Sequence, residues 1–170
     1  KSIEMPYTTA LGHKYDSGDF NRNLQICVKK SNYLSFEDRR KVSVKNNKLR
    51  GIGISTYIES CGGGGPEYAS LKVGKNGNIE VKIGTQSNGQ GHETSYAQIV
   101  SEILDIPIDQ INIYQGNSVD IPKGKGTGGS RSMPVGGSAL YNATEKFLQN
   151  AKKLLCENLD VNINSVLYKK

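Results

Sequence analysis

YASLKVGKNGNIEVKI, residues 68–83, decides the fold. Tyr68 to Val73 and Ile79 to Ile83 are rich in β-branched and aromatic residues. The connection between them carries Asn76-Gly77, a pair that readily takes positive φ and suits a tight reversal. The two runs are therefore expected to form an antiparallel hairpin.

Upstream, Ile52, Ile54, Thr56 and Ile58 alternate with small or polar residues, which predicts a half-buried strand. From Asp19 to Tyr33 the pattern changes: Phe20, Leu24, Cys27 and Val28 recur at three- and four-residue steps, with Leu34 seven after Cys27, the spacing of one helical stripe. Ser35, followed by Glu37 and Asp38, reads as the N-cap of a second, shorter helix ending near Asn46 to Lys48. Downstream, Ala97, Ile99, Val100, Ile103 and Leu104 place a helix over 94–104, stopped before Pro107. Ile111 to Tyr114 reads as another strand and Ser138 to Leu159 as a long helix, with a short strand or frayed end at 165–168. Residues 115–134 form a glycine-rich connection, longer than most loops inside compact domains and so expected to be functional or mobile.

The fold class expected from these elements is α+β, an antiparallel or mixed sheet packed with helices. Residues 1–170 fit a single domain or a piece of one, with 1–48 as a helical lead-in and 49–170 as the α+β part.

The composition is lean but globular: 170 residues, 35% hydrophobic, twenty glycines and no tryptophan. A net charge of +6 comes from basic residues scattered along the chain rather than gathered with aromatics, which points to a solvated basic surface rather than a nucleic-acid stripe. No run of about 18 apolar residues offers a membrane span. The opening KSIEMPYTTALG lacks the apolar core of a secretion signal, so a cytoplasmic chain with a cut first residue is expected. Cys27, Cys61 and Cys156 are odd in number and lack a CxxC pair, so reduced, mostly buried thiols are expected. His13 and His92 have no metal-ligand spacing around them, and no metal site is expected from side chains.

Three glycine-rich segments remain, at 62–66, 88–94 and 124–132. Glycine lets backbone N–H groups crowd toward an anion, and the start of a helix adds about half a positive charge. The last two segments each lead toward a predicted helix. Neither matches the phosphate-binding GxxxxGK[ST] pattern, and no GxSxG elbow supports a serine hydrolase. Ser130, Arg131 and Ser132 supply two hydroxyls and a guanidinium beside glycine amides, and Gln90 stands between two glycines. Such a set suits a pyrophosphate or a heterocycle edge.

The motif order then carries a resemblance. MPYTTALGHKYDSGDF (5–20), LRGIGISTYIE (49–59), the hairpin, GTQSNGQGHETSYAQIVSEIL (84–104) and INIYQGNSVDIPKGKGTGGSRSMPVGGSAL (111–140) resemble the molybdopterin-binding large subunit of the xanthine oxidase and aldehyde oxidase family, especially that of aerobic carbon monoxide dehydrogenases. The resemblance covers nearly the whole chain. It implies that the GQG turn and the loop ending in Ser-x-Ser bind the molybdopterin cofactor, in this sequence Gly89, Gln90, Gly91, Gly129, Ser130 and Ser132, with Arg131 between the serines. It further implies a parent oxidoreductase with iron–sulfur and flavin partners, and a cofactor that includes the cytosine dinucleotide form among its variants. The family's upstream glycine-phenylalanine loop, its substrate-selecting loop and its downstream glutamate base are not in this sequence. The chain is accordingly expected to be a piece of the large subunit, inactive alone, largely without cofactor, partnered by the remainder of that subunit and able to pair with itself. Glu59 and Glu93 are expected to be a strand end and a first-turn residue rather than general bases. The rival expectation is a non-catalytic module for a nucleotide or nucleic acid, marked by steep salt dependence.

Overall fold

The computed structural model describes residues 3–168, which divide between Ile58 and Glu59 into two compact units. The first unit holds a two-residue antiparallel ladder, β1 (Tyr7–Thr8) with β2 (Lys14–Tyr15), followed by α1 (Phe20–Lys30) and α2 (Phe36–Lys45). Asp19 caps α1, its carboxylate accepting from the Arg22 amide at 2.9 Å. Ser35 precedes α2 as expected, but its hydroxyl donates backward to the Asn32 carbonyl at 3.0 Å and accepts from Arg39, so it caps nothing. Leu34, assigned to the stripe of α1, is 91% exposed because the chain leaves the helix before reaching it.

The strand expected over 52–58 does not form: residues 49–60 have no regular structure and are exposed. Alternation prepares a segment for a sheet edge but cannot supply one, and no described strand pairs with it. Nor are the thiols mostly buried. Cys27 and Cys61 are exposed and only Cys156 is enclosed, since Cys27 lies beside the half-buried Leu24 and Val28 and Cys61 falls in the irregular stretch.

The second unit is a three-stranded sheet in the order β3 (Ala69–Val73), β4 (Ile79–Ile83), β5 (Ile111–Tyr114). β3 and β4 make the expected hairpin, pairing Val73 with Ile79 and Ala69 with Ile83, and Gly77 takes φ 84° in its turn. β5 runs parallel to β4, a pairing that requires a crossover, here α3 (His92–Leu104). α4 (Ser138–Leu159) packs on β3 and on α3, while α3 packs on β5. Ile79, Val81 and Ile83 alternate inward from β4 to meet Ala97, Val100, Ile103 and Leu104 of α3 and Leu140 of α4. The intervening Glu80 and Lys82 turn to the other face, paired with Lys72 at 2.8 Å and Asp120 at 3.1 Å. This is an α+β architecture with a mixed sheet. The long connection after β5 ends at Ser132, where a π-helical turn, Ser132–Gly137, leads into α4. Residues 163–165 form a 3-10 turn and 166–168 have no regular structure, so of the two expectations for 165–168 the short strand does not form.

Candidate cofactor-binding site

Leaving β4, the chain passes Gly84, whose backbone lies directly against Gly124. A Cβ at Gly84 would stand 2.7 Å from Gly124 Cα, and one at Gly124 would stand 2.6 Å from the Gly84 carbonyl. Only two glycines permit that approach. It brings the stretch after β4 beside the stretch before the π-helical turn, and the Gly126 amide donates to Gly84 O at 3.3 Å.

Thr127 then fastens the two stretches. Its hydroxyl donates to Gln86 O at 2.6 Å and accepts from Gln86 N at 3.2 Å. A hydroxyl has one proton to give, so at 2.9 Å it is Ser132 Oγ that donates to Thr127. Beneath this, Tyr96 of α3 donates its phenol to the Ser132 carbonyl at 3.1 Å and so accepts from Thr85 Oγ1 at 2.7 Å. Thr85 and Tyr96 have no exposed surface. Burial pushes the Tyr96 phenol above its ordinary range, the nearby Glu67 charge adds to this, and the hydrogen bonds with Thr85 and Ser132 offset only part. Tyr96 therefore remains a donor.

Arg131 is 5% exposed and its guanidinium is committed to protein groups. Nε donates to Gly63 O at 3.1 Å, Nη2 to Gly65 O at 3.0 Å, and Nη1 to Gly126 O at 2.8 Å and to the Glu67 carboxylate. The Glu67 side chain is 1% exposed and also accepts from the amides of Tyr68 at 2.9 Å and Lys125 at 3.1 Å. Burial pushes its carboxyl upward, but the hydrogen bonds from Arg131 and the two amides, with the Arg131 charge, outweigh this and hold it below the usual range.

Of the residues expected to meet a ligand, Gly89, Gln90, Gly91, Gly129 and Ser130 are exposed, whereas Arg131 and Ser132 are buried behind them. Gln90 folds its side-chain oxygen onto the Asn88 amide, and Ser130, at φ 48°, donates its hydroxyl to Glu59 at 2.5 Å. The fold thus brings the two loops together through Gln86 and Thr127, not through a direct bond between Gln90 and Ser130. Glu93 lies in the first turn of α3 as expected and accepts from the Gln115 side-chain amide, whose Oε1 accepts from the Ser87 amide at 3.0 Å. Glu59 lies in irregular chain, not at a strand end.

The donor set suits an anionic, heteroatom-rich ligand. No side chain caps α3, so its first amides are left for a partner, and Gly91 turns into it at φ 74°. Cβ atoms added at Gly89, Gly91, Gly128 or Gly129 would meet nothing, so open space lies before these backbones. His92 is buried against Tyr96, ring centroids 5.3 Å apart, and its Nδ1 has no partner. Sequence reasoning considered His92 as a metal ligand and set that aside, and it passed over Glu67, Thr85, Tyr96, Gln115 and Thr127. Thr127, flanked by glycines, offered a weak signal; Glu67 offered none.

Residues 26–170 match the family described as the molybdopterin cofactor-binding domain. The chain belongs to this family. It is 35% identical to the carbon monoxide dehydrogenase large chain of Hydrogenophaga pseudoflava, over 96% of this chain and 22% of that protein. It is 33% identical to the corresponding chain of Afipia carboxidovorans, over 93% of this chain and 22% of that one. Among solved structures, a Cu,Mo-CO dehydrogenase in its carbon monoxide reduced state superposes with a TM-score of 0.64 at 32% identity, covering 97% of this chain and 23% of the other. The chain therefore spans about a fifth of the length of these relatives. No described helix is long and apolar enough to cross a membrane.

Proposed function

We propose that this molybdopterin-family chain is the portion of a molybdenum-dependent oxidoreductase large subunit that positions the cofactor, in an enzyme of the carbon monoxide dehydrogenase or xanthine dehydrogenase kind. The observation that carries the reading is the joining of two glycine loops, 86–91 and 126–132, through Thr127, beside an uncapped helix start. Gly89, Gln90, Gly91, Gly129 and Ser130 form the exposed rim that would hold the molybdopterin cofactor, in the cytosine dinucleotide form, with Ser132 supporting them from behind. The amides beginning α3 would face the anionic part, where fixed dipoles serve without a cationic side chain. When bound, this group supplies molybdenum-centred hydroxylation or oxidation, with oxygen drawn from water and electrons leaving through iron–sulfur and flavin centres. The chain's own share is binding and orientation. Its partners would be the rest of the large subunit and the iron–sulfur and flavin subunits or domains, in the cytoplasm.

Half a site binds weakly, because a ligand that meets only two loops recovers little of the freedom it loses on binding. The 170-residue chain is therefore expected to show no turnover with carbon monoxide, aldehydes or purines and far less than stoichiometric molybdenum by metal analysis. Its Gly89, Gly91, Gly129 and Ser130 amide resonances are expected to move together on titration with pyrophosphate. Stoichiometric molybdenum with turnover would overturn the partial-site reading, and shifts elsewhere with none at these four would overturn the shared site.

A further inference from the structure

We infer that Arg131 and Glu67 form a latch that sets the shape of the glycine loops from behind, so that Arg131 is a positioning residue and does not touch the ligand. The inference builds on the cofactor-binding reading above. Its geometric basis is the allocation of the guanidinium: four hydrogen bonds reach three carbonyls and one carboxylate, on Gly63, Gly65, Gly126 and Glu67. Glu67 completes the latch by accepting the Lys125 amide, and Lys125 Nζ adds a bond to Gly64 O at 2.6 Å. Three glycine-rich segments, 62–65, 124–126 and 129–131, are thereby tied at one point, and the Gly62 amide donates to Ser130 O at 3.2 Å. Ser130 and Gly129 follow wherever this point is fixed.

A planar fork with donors in fixed directions is needed to reach four such acceptors, and a lysine ammonium, with three donors on one atom, does not reproduce it. The charge balance matters as well. The groups facing Glu67 are the Arg131 guanidinium, the Tyr68 and Lys125 amides and, from α3, the Tyr96 phenol. Because the folded Glu67 carboxyl sits below its unfolded value, its contribution is complete above roughly pH 4.3 and is lost as pH falls through the folded value.

The test uses the 170-residue chain and amide hydrogen exchange, corrected for intrinsic rates, with pyrophosphate as the probe. In Arg131→Lys, Arg131→Gln and Glu67→Gln, protection at Gly62, Lys125 and Gly126 is expected to fall at least tenfold while Val81 and Val100 change by less than twofold. Pyrophosphate is expected to bind several-fold more weakly yet still shift Gly91 and Gly129. Arg131→Lys should do no better than Arg131→Gln. In the wild type, loop protection should fall on acidification below about pH 4, whereas Glu67→Gln should be flat there. Retained loop protection in the variants overturns the latch, and retained protection with lost pyrophosphate shifts would assign Arg131 to the ligand instead. Equal loss at Val81 also overturns it, by making the pair a general stabiliser. A wild-type chain whose loop amides ignore pyrophosphate removes the cofactor-binding reading, and the exchange results then decide the latch alone.

Discussion

α1 and β4 each carry an apolar stripe at the period of their own geometry, and they meet different fates. In α1, Phe20, Leu24 and Val28 share a face yet stay only half-buried, and no residue of the helix is enclosed. In β4, Ile79, Val81 and Ile83 alternate into a core closed by α3 and α4. The difference lies in what faces each stripe. A periodic pattern makes burial available, and a second layer must be present to convert it into stability.

The largest effect expected from this contrast is on the β4 side. Ile83→Ala should lower the unfolding free energy of the second unit by about 2–5 kcal/mol in urea denaturation, through lost transfer energy and the cavity left behind. Leu24→Ala in α1 should cost under about 1 kcal/mol, as expected away from a packed core. Equal losses would mean that the stripe of α1 is enclosed in solution. Next in size is Tyr96→Phe, which removes the bond to the Ser132 carbonyl and the acceptor of Thr85 in a fully buried setting. A loss of about 1–3 kcal/mol is expected, with faster exchange at Gln86, and an unchanged midpoint would show the network to be dispensable. The last effect is local. Asp19→Ala should cost about 1 kcal/mol at the start of α1, visible as lost helicity without any shift in the transition of the second unit.

The hairpin was legible because its determinants are adjacent: two β-rich runs and Asn76-Gly77 lie within sixteen residues of chain. Helices α3 and α4 were legible for the same reason, their stripes being complete within themselves. The false strand at 52–58 shows the limit, since alternation cannot report whether another strand lies alongside. Arg131 shows it more sharply. Beside glycines and serines it read as a donor for a ligand, but its partners Gly63, Gly65 and Glu67 lie 64 to 68 residues earlier in the chain. Nothing in the local sequence marks that meeting. Ser132 was similarly drawn inward by Tyr96 and Thr127, whereas Gly89, Gly91 and Gly129 stayed at the surface.

The parallel pairing of β4 with β5 also governs the order in which the molecule can be assembled. Bringing Glu67 to Lys125 in an otherwise open chain closes a span of 58 residues. Once the hairpin has zipped and α3 has carried β5 alongside β4, only about eleven residues separate the end of β5 from Lys125, which lowers the closure cost by about 1.5 kcal/mol. The glycine loops should accordingly be the last part of the second unit to organise during refolding, with the sheet native while they are still open. Pulse-labelled exchange would register this as protection at Val81 preceding protection at Lys125, leaving an interval in which a bulky ligand could enter between loops that later close behind it.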